Sequence, residues 1–345
     1  MKFLLVSDST GFALTDVYYG YQHAFKQLDI PFECFPFHHF RGILSDEICY
    51  HVVHSTALLK NKEFTHVLFI GGLNIPTFLI ESYYHVKTIV ASTEDPHTSS
   101  PMIDRLDNID YYFTNERSIA NSGKFKNVYY CPTAGSSFHC NKIPRDTLDS
   151  KYLSDILFLG AMYPNRAQLL ESIIPLVKEH NLTFKVCGHI GYLPKKSPLW
   201  EYVTENKTIP HEETVYYYNG AKTVINILRD ISWNPRQPNK RNPFNRYKFK
   251  AESLNPRAYE VPMCGAFMLL EDTREEAKDV FNNDEVAFFS DPKSLNDQIK
   301  KYLIDSPESA REEMALKAFK KVSLNHSYVQ RLQKILNILQ KDTPQ

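Results

Sequence analysis

The chain has 345 residues, which is enough for two domains of ordinary size. Hydrophobic residues make up 43% and charged residues 23%, so the composition is globular and excludes a disordered or fibrous protein. The 40 Lys and Arg residues balance the 40 Asp and Glu residues. This balance argues against a nucleic-acid-binding protein that is basic throughout, although it leaves room for a local basic patch.

Strand and helix patterns alternate over the first 135 residues. The strand patterns cover 2–7, 32–37, 66–71, 87–91, 111–114 and 128–131, and the helical patterns cover 16–28, 45–60 and 75–84. The run HVLFIG at 66–71 is continuously apolar, as is typical of a buried parallel strand. The alternation predicts a doubly wound α/β domain with a mostly parallel sheet.

The pattern breaks over 132–153, where Pro, Gly, Ser and Asn are frequent, and then restarts. The later strand patterns cover 155–160, 183–188, 223–228 and 266–270, and the helical patterns cover 166–180, 211–219, 257–264, 292–323 and 328–339. We therefore predict a first domain at 1–140, a linker at 141–154, a second domain at 155–325 and a closing helix at 326–345 that is suited to docking on the first domain. Ligands of such sheets bind outside the carboxyl ends of the strands.

Cysteine and histidine spacing gives no metal or disulfide signature. The six cysteines include no CxxC pair, and the 13 histidines include no HExxH motif. The first apolar run is too short for a signal peptide, and no stretch reaches the roughly 20 apolar residues of a membrane span. These observations predict reduced thiols, no bound metal, no transmembrane segment and a cytoplasmic location.

Three stretches carry a resemblance to a known family. DILFLGAMYPNRAQLL at 155–170, LNPRAYEVPMCGAFMLLED at 254–272 and HSYVQR at 326–331 resemble blocks of the CgeB-like (spore maturation) glycosyltransferases, and ASTEDPH at 91–97 and DYYFTNERSIA at 110–120 are looser matches. The resemblance implies a GT-B architecture, in which two Rossmann-like domains face each other across a cleft. It also implies transfer of a sugar from a nucleotide-sugar. No DxD-type metal motif stands where a metal-dependent sugar transferase would need one, so we predict that no metal and no cofactor is required.

The resemblance also implies donor-binding residues in the second domain. Glu260 matches the glutamate that holds the ribose in related enzymes, although a glutamate near a helix start also interacts with the helix dipole. Glu252, eight residues earlier, matches the first member of a glutamate pair used by retaining enzymes. Asn255 and Gly265 belong to the same family block.

The diphosphate of the donor needs cationic or N–H partners near a helix start. Arg257 is the first candidate, with a surface ion pair to Glu252 or Glu260 as the alternative. Gly160 lets the backbone approach a phosphate, and Arg166 follows it at the predicted helix start. A plain turn with a solvated arginine is the alternative for these two residues.

The acceptor is expected to contact the first domain, where loops follow the predicted strands. The residues of these loops that we assign to the acceptor side are Thr10, Gly11, Gly72 and Glu94. Asp95 and His97 are candidates for the general base that an inverting transferase needs. The alternative is that both residues only cap the loop around Pro96.

A basic segment departs from the family pattern. Residues 236–250 (RQPNKRNPFNRYKFK) hold no acid, and their cationic residues are Arg236, Lys240, Arg241, Arg246, Lys248 and Lys250. Phe244, Tyr247 and Phe249 lie between these cations. Such interleaving favours contact with a polyanion, a nucleic acid or a membrane surface, and a solvated loop is the alternative.

Three functions therefore remain open from the sequence. The first is a metal-independent hexosyltransferase-like enzyme with an unknown glycan or protein acceptor. The second is a glycosyltransferase that modifies DNA bases and grips its acceptor through the basic segment. The third is a catalytically inactive module of the same fold that binds a nucleotide or a glycan.

Overall fold

The computed structural model describes residues 1–7, 12–35, 37, 40, 43–45, 47–49, 51–52, 55, 63–232 and 242–341. The chain divides into two compact units. Unit 1 comprises Met1–Thr133, Ile231–Ser253 and Tyr328–Gln345, and unit 2 comprises Ala134–Asp230 and Leu254–Ser327.

Each unit is built on a parallel six-stranded sheet. The strand order is β2-β1-β3-β4-β5-β6 in unit 1 and β12-β11-β10-β7-β8-β9 in unit 2. The strands of unit 1 are β1 Phe3–Ser7, β2 Phe32–Phe35, β3 His66–Ile70, β4 Lys87–Ala91, β5 Tyr111–Thr114 and β6 Val128–Tyr130. The strands of unit 2 are β7 Ser154–Leu159, β8 Phe184–Cys187, β9 Val203–Glu205, β10 Ala221–Asn226, β11 Met268–Glu271 and β12 Ala287–Phe289.

Helices connect most of these strands. They are α1 Phe12–Gln27, α2 Thr77–Glu81, α3 Ser100–Ile103, α4 Arg117–Ala120, α5 Pro164–Glu171, α6 Ile174–Glu179, α7 His211–Gly220, α8 Arg257–Met263, α9 Glu276–Val280, α10 Pro292–Lys300, α11 Glu308–Asn325 and α12 Tyr328–Lys341. The predicted α/β class with two Rossmann-like, doubly wound sheets is confirmed. None of the described helices has both the length and the apolar character that crossing a membrane requires.

The structure corrects several predicted elements. The helix predicted over 292–323 consists of α10, a π-helical turn and α11, which begins directly after Pro307, because proline cannot continue a preceding helix. The helix predicted over 166–180 divides into α5 and α6, and the short strands β9 and β12 were not predicted. Much of the helix predicted over 45–60 lies outside the described residues.

The sheet of unit 2 is buried on both faces. Leu157 and Leu159 of β7 belong to one apolar cluster, and Ile156 and Phe158 belong to another. Successive strand residues point to opposite faces, so the two clusters cover the two faces. Each of these side chains contributes about 1.5–3 kcal/mol through its burial.

The register of this sheet brings three loops to one edge. Val224 of β10 is the partner of Leu157 in β7 and of Met268 in β11, and all three strands are parallel. The segments that follow β7, β10 and β11 therefore leave the sheet at the same carboxyl edge, where ligands of such sheets bind.

The division of the chain differs from the predicted domain boundaries, and residues 134–140, predicted in the first domain, belong to unit 2. Residues 141–154 belong to unit 2, because the end of α7 holds them: Asn219 donates to the Asn141 carbonyl at 2.8 Å, and Arg145 donates to the Gly220 carbonyl at 3.1 Å. The segment Ile231–Ser253, placed in the second domain by the prediction, belongs to unit 1.

The last helix, α12, packs on α1 within unit 1. A side chain at Gly20 would overlap the ring of Tyr328, and that ring also contacts Tyr21 at 5.2 Å between centroids. Arg331, a buried residue, donates to the carbonyls of Pro132 and Thr133 at 2.9 and 3.1 Å. These contacts tie the end of the chain to the start of unit 1 and to the end of its first segment.

Candidate functional site

Three arginines of unit 2 gather at the carboxyl edge of its sheet. Arg166 lies on α5 and Arg229 follows β10, and their guanidinium carbons lie 4.8 and 5.1 Å from the centroid of the Tyr163 ring. Arg166 and Arg257, the first residue of α8, lie 5.8 and 6.0 Å from the centroid of the Phe158 ring. We refer to Arg166, Arg229 and Arg257 as the arginine cluster.

The cluster concentrates positive charge in a buried place. Arg166 is only 5% exposed. Burial lowers the pKa of its guanidinium to about 9, and the charges of Arg257 and Arg229 lower that pKa as well, whereas Tyr163 and Glu271 raise it. Arg166 therefore remains charged at neutral pH, but at a cost that a bound anion would offset.

Several N–H groups of the cluster have no hydrogen-bond partner among the described residues. They are Nε of Arg166 and both Nε and Nη1 of Arg257, and all three atoms are buried. Nη1 of Arg166 does donate, to the carbonyl of Ala161 at 2.8 Å. Buried donors without partners are costly. Planar guanidinium groups with open donors match the geometry of phosphate oxygens.

Gly160 makes room for this arrangement at the end of β7. Its φ is +153°, and a Cβ at this position would lie 2.5 Å from Nη2 of Arg257. A Cβ at Gly188, which follows β8, would overlap the backbone of Gly160. The two glycines thus let the loops after β7 and β8 approach each other, with Arg257 packed against the first of them.

Glu260 lies on the same face of α8 as Arg257, three residues later. The Tyr218 hydroxyl donates to Oε2 of Glu260 at 3.5 Å. Burial and the Glu260 carboxylate raise the pKa of Tyr218, while Arg257 acts in the opposite direction. The phenol of Tyr218 thus interacts with both residues, and Glu260 itself is half-buried beside the arginine cluster.

Buried polar side chains fix the loop that carries Arg229. Leu228 donates its N–H to Oε2 of Glu271 at 2.6 Å, and its carbonyl accepts from Nδ2 of Asn165 at 2.9 Å. Arg274 donates to the carbonyl of Arg229 at 2.8 Å. Side chains of α5, of β11 and of the segment after β11 therefore fix the backbone of Leu228 and Arg229 through hydrogen bonds.

Asn255 acts on the start of α8. Its amide pairs with the Asn226 amide through two hydrogen bonds of 2.9 Å, and its Oδ1 also accepts from the N–H of Ala258 at 3.2 Å. The neighbouring Leu254 donates its N–H to Oε2 of Glu276 at 2.6 Å. Asn255 therefore anchors α8 to the end of β10, and its side chain is engaged by protein groups.

Gly265 lies away from this edge. It has a φ of +69° just after α8, three residues before β11 begins. A glycine in this conformation commonly ends a helix. Because β11 starts at the amino edge of the sheet, Gly265 lies at the opposite end from the arginine cluster.

In unit 1, Asp95 is buried and already engaged. Its Oδ2 accepts hydrogen bonds of 2.6 Å from the hydroxyls of Tyr112 and Thr114. Burial raises the pKa of the carboxyl group, and those hydrogen bonds counteract this. His97 is 8% exposed, and its carbonyl accepts from Nδ2 of Asn242 at 2.9 Å. Asp95 thus braces the loop after β4.

The other acceptor-side residues have different surroundings. Thr10 and Gly11 lie outside the described residues. Gly72 has a φ of +81°. A Cβ at this position would lie only 2.8 Å from the Val90 side chain, so the packing favours glycine here. The Gly72 carbonyl accepts from Arg105 at 3.3 Å. Glu94 is half-buried in the loop that Asp95 braces.

Glu252 and Glu260 belong to different units. Glu252 lies in the segment of unit 1 that ends at Ser253, and Glu260 lies in unit 2. The N–H of Glu252 donates to Oε1 of Glu116 at 3.1 Å, and the N–H of Ser253 donates to Oε2 of Glu116 at 3.4 Å. Glu116 is fully buried and thus anchors this segment in unit 1.

The basic segment is only partly described, since Arg236, Lys240 and Arg241 lie outside the described residues. Arg246 forms an ion pair with Asp104, whereas Lys248 and Lys250 are exposed. The interpretation of Phe249 as a contact residue was wrong: it is 7% exposed and belongs to the core of unit 1. An aromatic residue between cations packs inward when an apolar core lies within reach.

Sequence reasoning missed Arg229, Glu271, Arg274 and Tyr218. Arg229 follows the apolar run TVINIL, and Glu271 follows the run FMLL, so both stand where a buried parallel strand ends. That position at the carboxyl end is the signal that identifies them. Tyr218 lies within a helix and gives no comparable signal.

Comparison with known proteins places this geometry in context. Residues 166–337 match a family described as glycosyl transferase-like. Spore protein CgeB of Bacillus subtilis (strain 168) is 30% identical over 188 residues, which are 53% of this chain and 56% of CgeB. The chain thus matches about half the length of that relative.

Solved structures share the fold at low identity. HepE of Anabaena, solved with UDP and glucose, aligns with a TM-score of 0.64 and 11% identity over 99% of this chain and 100% of its own. Sucrose-phosphate synthase of Thermosynechococcus elongatus aligns with a TM-score of 0.64 and 10% identity over 99% of both chains. An alpha-glucosyltransferase, solved with UDP and a mismatched 13-mer DNA, aligns with a TM-score of 0.66 and 11% identity over 99% of this chain and 100% of its own.

The family match lies largely in unit 2, which carries the arginine cluster and Glu260. The structural matches extend over nearly the whole chain and agree with its two parallel sheets. This chain is therefore similar to the glycosyl transferase-like family over residues 166–337 and to CgeB over about half of its length, and it shares the GT-B fold of the structural matches.

Proposed function

We propose that this chain transfers a sugar from a nucleotide-sugar to an acceptor, and that unit 2 holds the donor. The observation that carries the proposal is the arginine cluster, in which Nε of Arg166 and both Nε and Nη1 of Arg257 are buried without partners among the described residues. A diphosphate supplies both the negative charge and the acceptor oxygens that this cluster lacks.

The same charges serve the chemistry of transfer. As the glycosidic bond breaks, the diphosphate leaving group gains negative charge, and fixed guanidinium groups stabilise it. Three arginines supply this stabilisation without a divalent cation, so we propose that transfer is metal-independent. Activity that persists in the presence of EDTA would support this part of the proposal, and activity restored only by a divalent cation would refute it.

Glu260 is proposed to hold the ribose. A carboxylate accepts two hydrogen bonds, one from each hydroxyl of a vicinal diol. Arg257 and Glu260 lie three residues apart on α8, so the diphosphate and the ribose would bind side by side along one helix face. Tyr218, which donates to Glu260, orients the carboxylate.

A UDP-sugar is the donor to test first. HepE and the alpha-glucosyltransferase were both solved with UDP, and their fold matches this one. On the acceptor side we retain His97 as the candidate base, because the Oδ2 atom of Asp95 already accepts two hydroxyl hydrogen bonds.

The test is titration calorimetry with UDP, GDP and their sugars on the wild type and on Glu260→Ala. Glu260→Ala removes the charged hydrogen bonds to the ribose, which are worth about 1.5–3 kcal/mol, so we expect this variant to bind the nucleotide about 10- to 100-fold more weakly. Glu312→Ala, which removes an exposed carboxylate of α11, is the matched control and should bind as the wild type does. Equal binding by Glu260→Ala would remove the ribose assignment, and a wild type that binds no nucleotide would refute the donor site.

Turnover distinguishes an enzyme from an inactive binding module. We expect release of UDP from a UDP-sugar when a mixture of candidate glycan, protein and DNA acceptors is supplied. Donor binding without any turnover over this range would favour the inactive module.

A further inference from the structure

We propose that unit 1 carries a nucleic-acid-binding surface formed by Lys124, Lys126, Lys248 and Lys250, here called the lysine surface. It is a contact for the phosphate backbone, independent of base sequence. The proposal does not depend on sugar transfer, because it concerns unit 1 alone and is tested by binding alone.

Two chain segments build the surface, and they meet through aromatic rings. The Phe125 and Phe249 rings lie 6.4 Å apart between centroids, and Nζ of Lys124 lies 5.3 Å from the centroid of the Phe249 ring. The Tyr247 ring lies 6.0 Å from the same ring. Phe249 is buried in the core of unit 1, whereas the lysines that flank Phe125 and Phe249 are exposed.

Hydrogen bonds hold the second segment in place. The side chain of Asn245 makes two hydrogen bonds to the backbone of Phe249. Its Nδ2 donates to the Phe249 carbonyl at 2.8 Å, and its Oδ1 accepts from the Phe249 N–H at 3.0 Å. Ser118 of α4 donates to the carbonyl of Lys250 at 2.6 Å. Lys248 and Lys250 therefore project from a backbone that these hydrogen bonds hold in place, which reduces the entropy that is lost when they bind.

The charge of the surface is not neutralised within the described part of the chain. All four lysines are exposed, and none of them forms an ion pair with a described acid. Arg246 lies in the same segment, but its charge is matched by Asp104. The surface thus concentrates four positive charges in a chain whose formal net charge is zero.

The chemistry of the surface favours a nucleic acid over a lipid bilayer. Stable attachment of a basic patch to a bilayer needs a second, apolar anchor. Here Phe249 is buried and Phe125 is half-buried, and the hydroxyl of the exposed Tyr247 donates to Asp104 at 2.9 Å. Binding of nucleic acid without sequence preference needs only the charge contacts, which gain free energy by releasing counterions.

The test measures binding of the full chain to a labelled DNA duplex by fluorescence anisotropy at several salt concentrations. Four phosphate contacts predict a slope of log K against log salt of about −3.6, which is about a 100-fold loss of affinity between 50 and 200 mM salt. The double variant Lys248→Glu and Lys250→Glu should bind more weakly. Its slope should be near −1.8, or a loss of about 10-fold over the same range.

The matched control is Lys300→Glu with Lys301→Glu, two exposed neighbours in unit 2, which make the same change in net charge. Both double variants should keep the melting temperature of the wild type. The proposal is overturned if the wild type does not bind the duplex at 50 mM salt, or if both double variants lose equal affinity. It is also overturned if vesicles containing phosphatidylserine bind through the lysine surface while the duplex does not.

Discussion

Nη2 of Arg257 lies 2.5 Å from the point at which a Cβ on Gly160 would stand. The absence of a side chain at residue 160 therefore sets the position of a guanidinium 97 residues later in the chain. Since Gly160 directly follows β7 and Arg257 begins α8, this contact fixes part of the arginine cluster against the sheet.

Gly160→Ala should weaken donor binding. The new methyl group displaces the Arg257 guanidinium, and the loss of a charged hydrogen bond predicts UDP affinity weaker by about 10-fold or more, as measured by calorimetry. Gly123→Ala is the matched control, because that glycine also has a positive φ, +68°, but a Cβ there meets nothing within 4 Å. Equal UDP affinity in both variants would show that Arg257 does not need its position against Gly160.

Glu271 should act through the backbone that positions Arg229. Glu271→Gln keeps an oxygen that accepts the N–H of Leu228, so we expect UDP affinity close to that of the wild type. Glu271→Ala leaves that buried N–H unpaired, which costs about 1–3 kcal/mol of stability and should weaken UDP binding. If the alanine variant lost stability but kept its UDP affinity, Glu271 would have a structural role only.

Gly20 and Tyr328 should be strongly coupled in stability. Gly20→Ala places a methyl group where the Tyr328 ring lies, and such overpacking costs about 1–3 kcal/mol in urea unfolding. In a Tyr328→Ala background the same change should cost much less, because the ring is gone. Additive effects in the double-mutant cycle would contradict the packing of α12 on α1.

His66 should make stability fall in mild acid. Burial lowers its pKa to about 4, and the charge of the chain's amino terminus acts in the same direction. The unfolded chain, with a pKa of about 6.5, binds the proton more tightly than the folded one, so stability is lost as the pH falls from about 6.5 to 4. Urea unfolding should show a smaller loss in His66→Gln, and an imidazole that titrates near 6.5 by NMR would contradict this.

The fold followed from sequence where apolar runs were continuous. The run HVLFIG predicted β3, and DILFLG predicted β7, because strands buried on both faces carry no polar alternation. The short strands β9 and β12 carry too few residues for such a pattern. The place of Ile231–Ser253 in unit 1 depends on long-range contacts such as Glu116 with Ser253, which local sequence does not encode.

The candidate site was predicted only in part. We predicted Arg166 and Arg257 from their positions near helix starts and Glu260 from the family resemblance, and the structure brings the three residues together in unit 2. Their interaction with Arg229 arises from the register of β7 and β10, which the sequence alone does not specify. The burial of Asp95 likewise follows from Tyr112 and Thr114 on the neighbouring strand, which no local motif reveals.

The most direct test of the account is a crystal structure of the chain with UDP bound. We predict that the diphosphate contacts Arg166, Arg229 and Arg257 and that the ribose hydroxyls contact Glu260. A diphosphate bound elsewhere, with the N–H groups of Arg166 and Arg257 still unpaired, would contradict the proposed donor site.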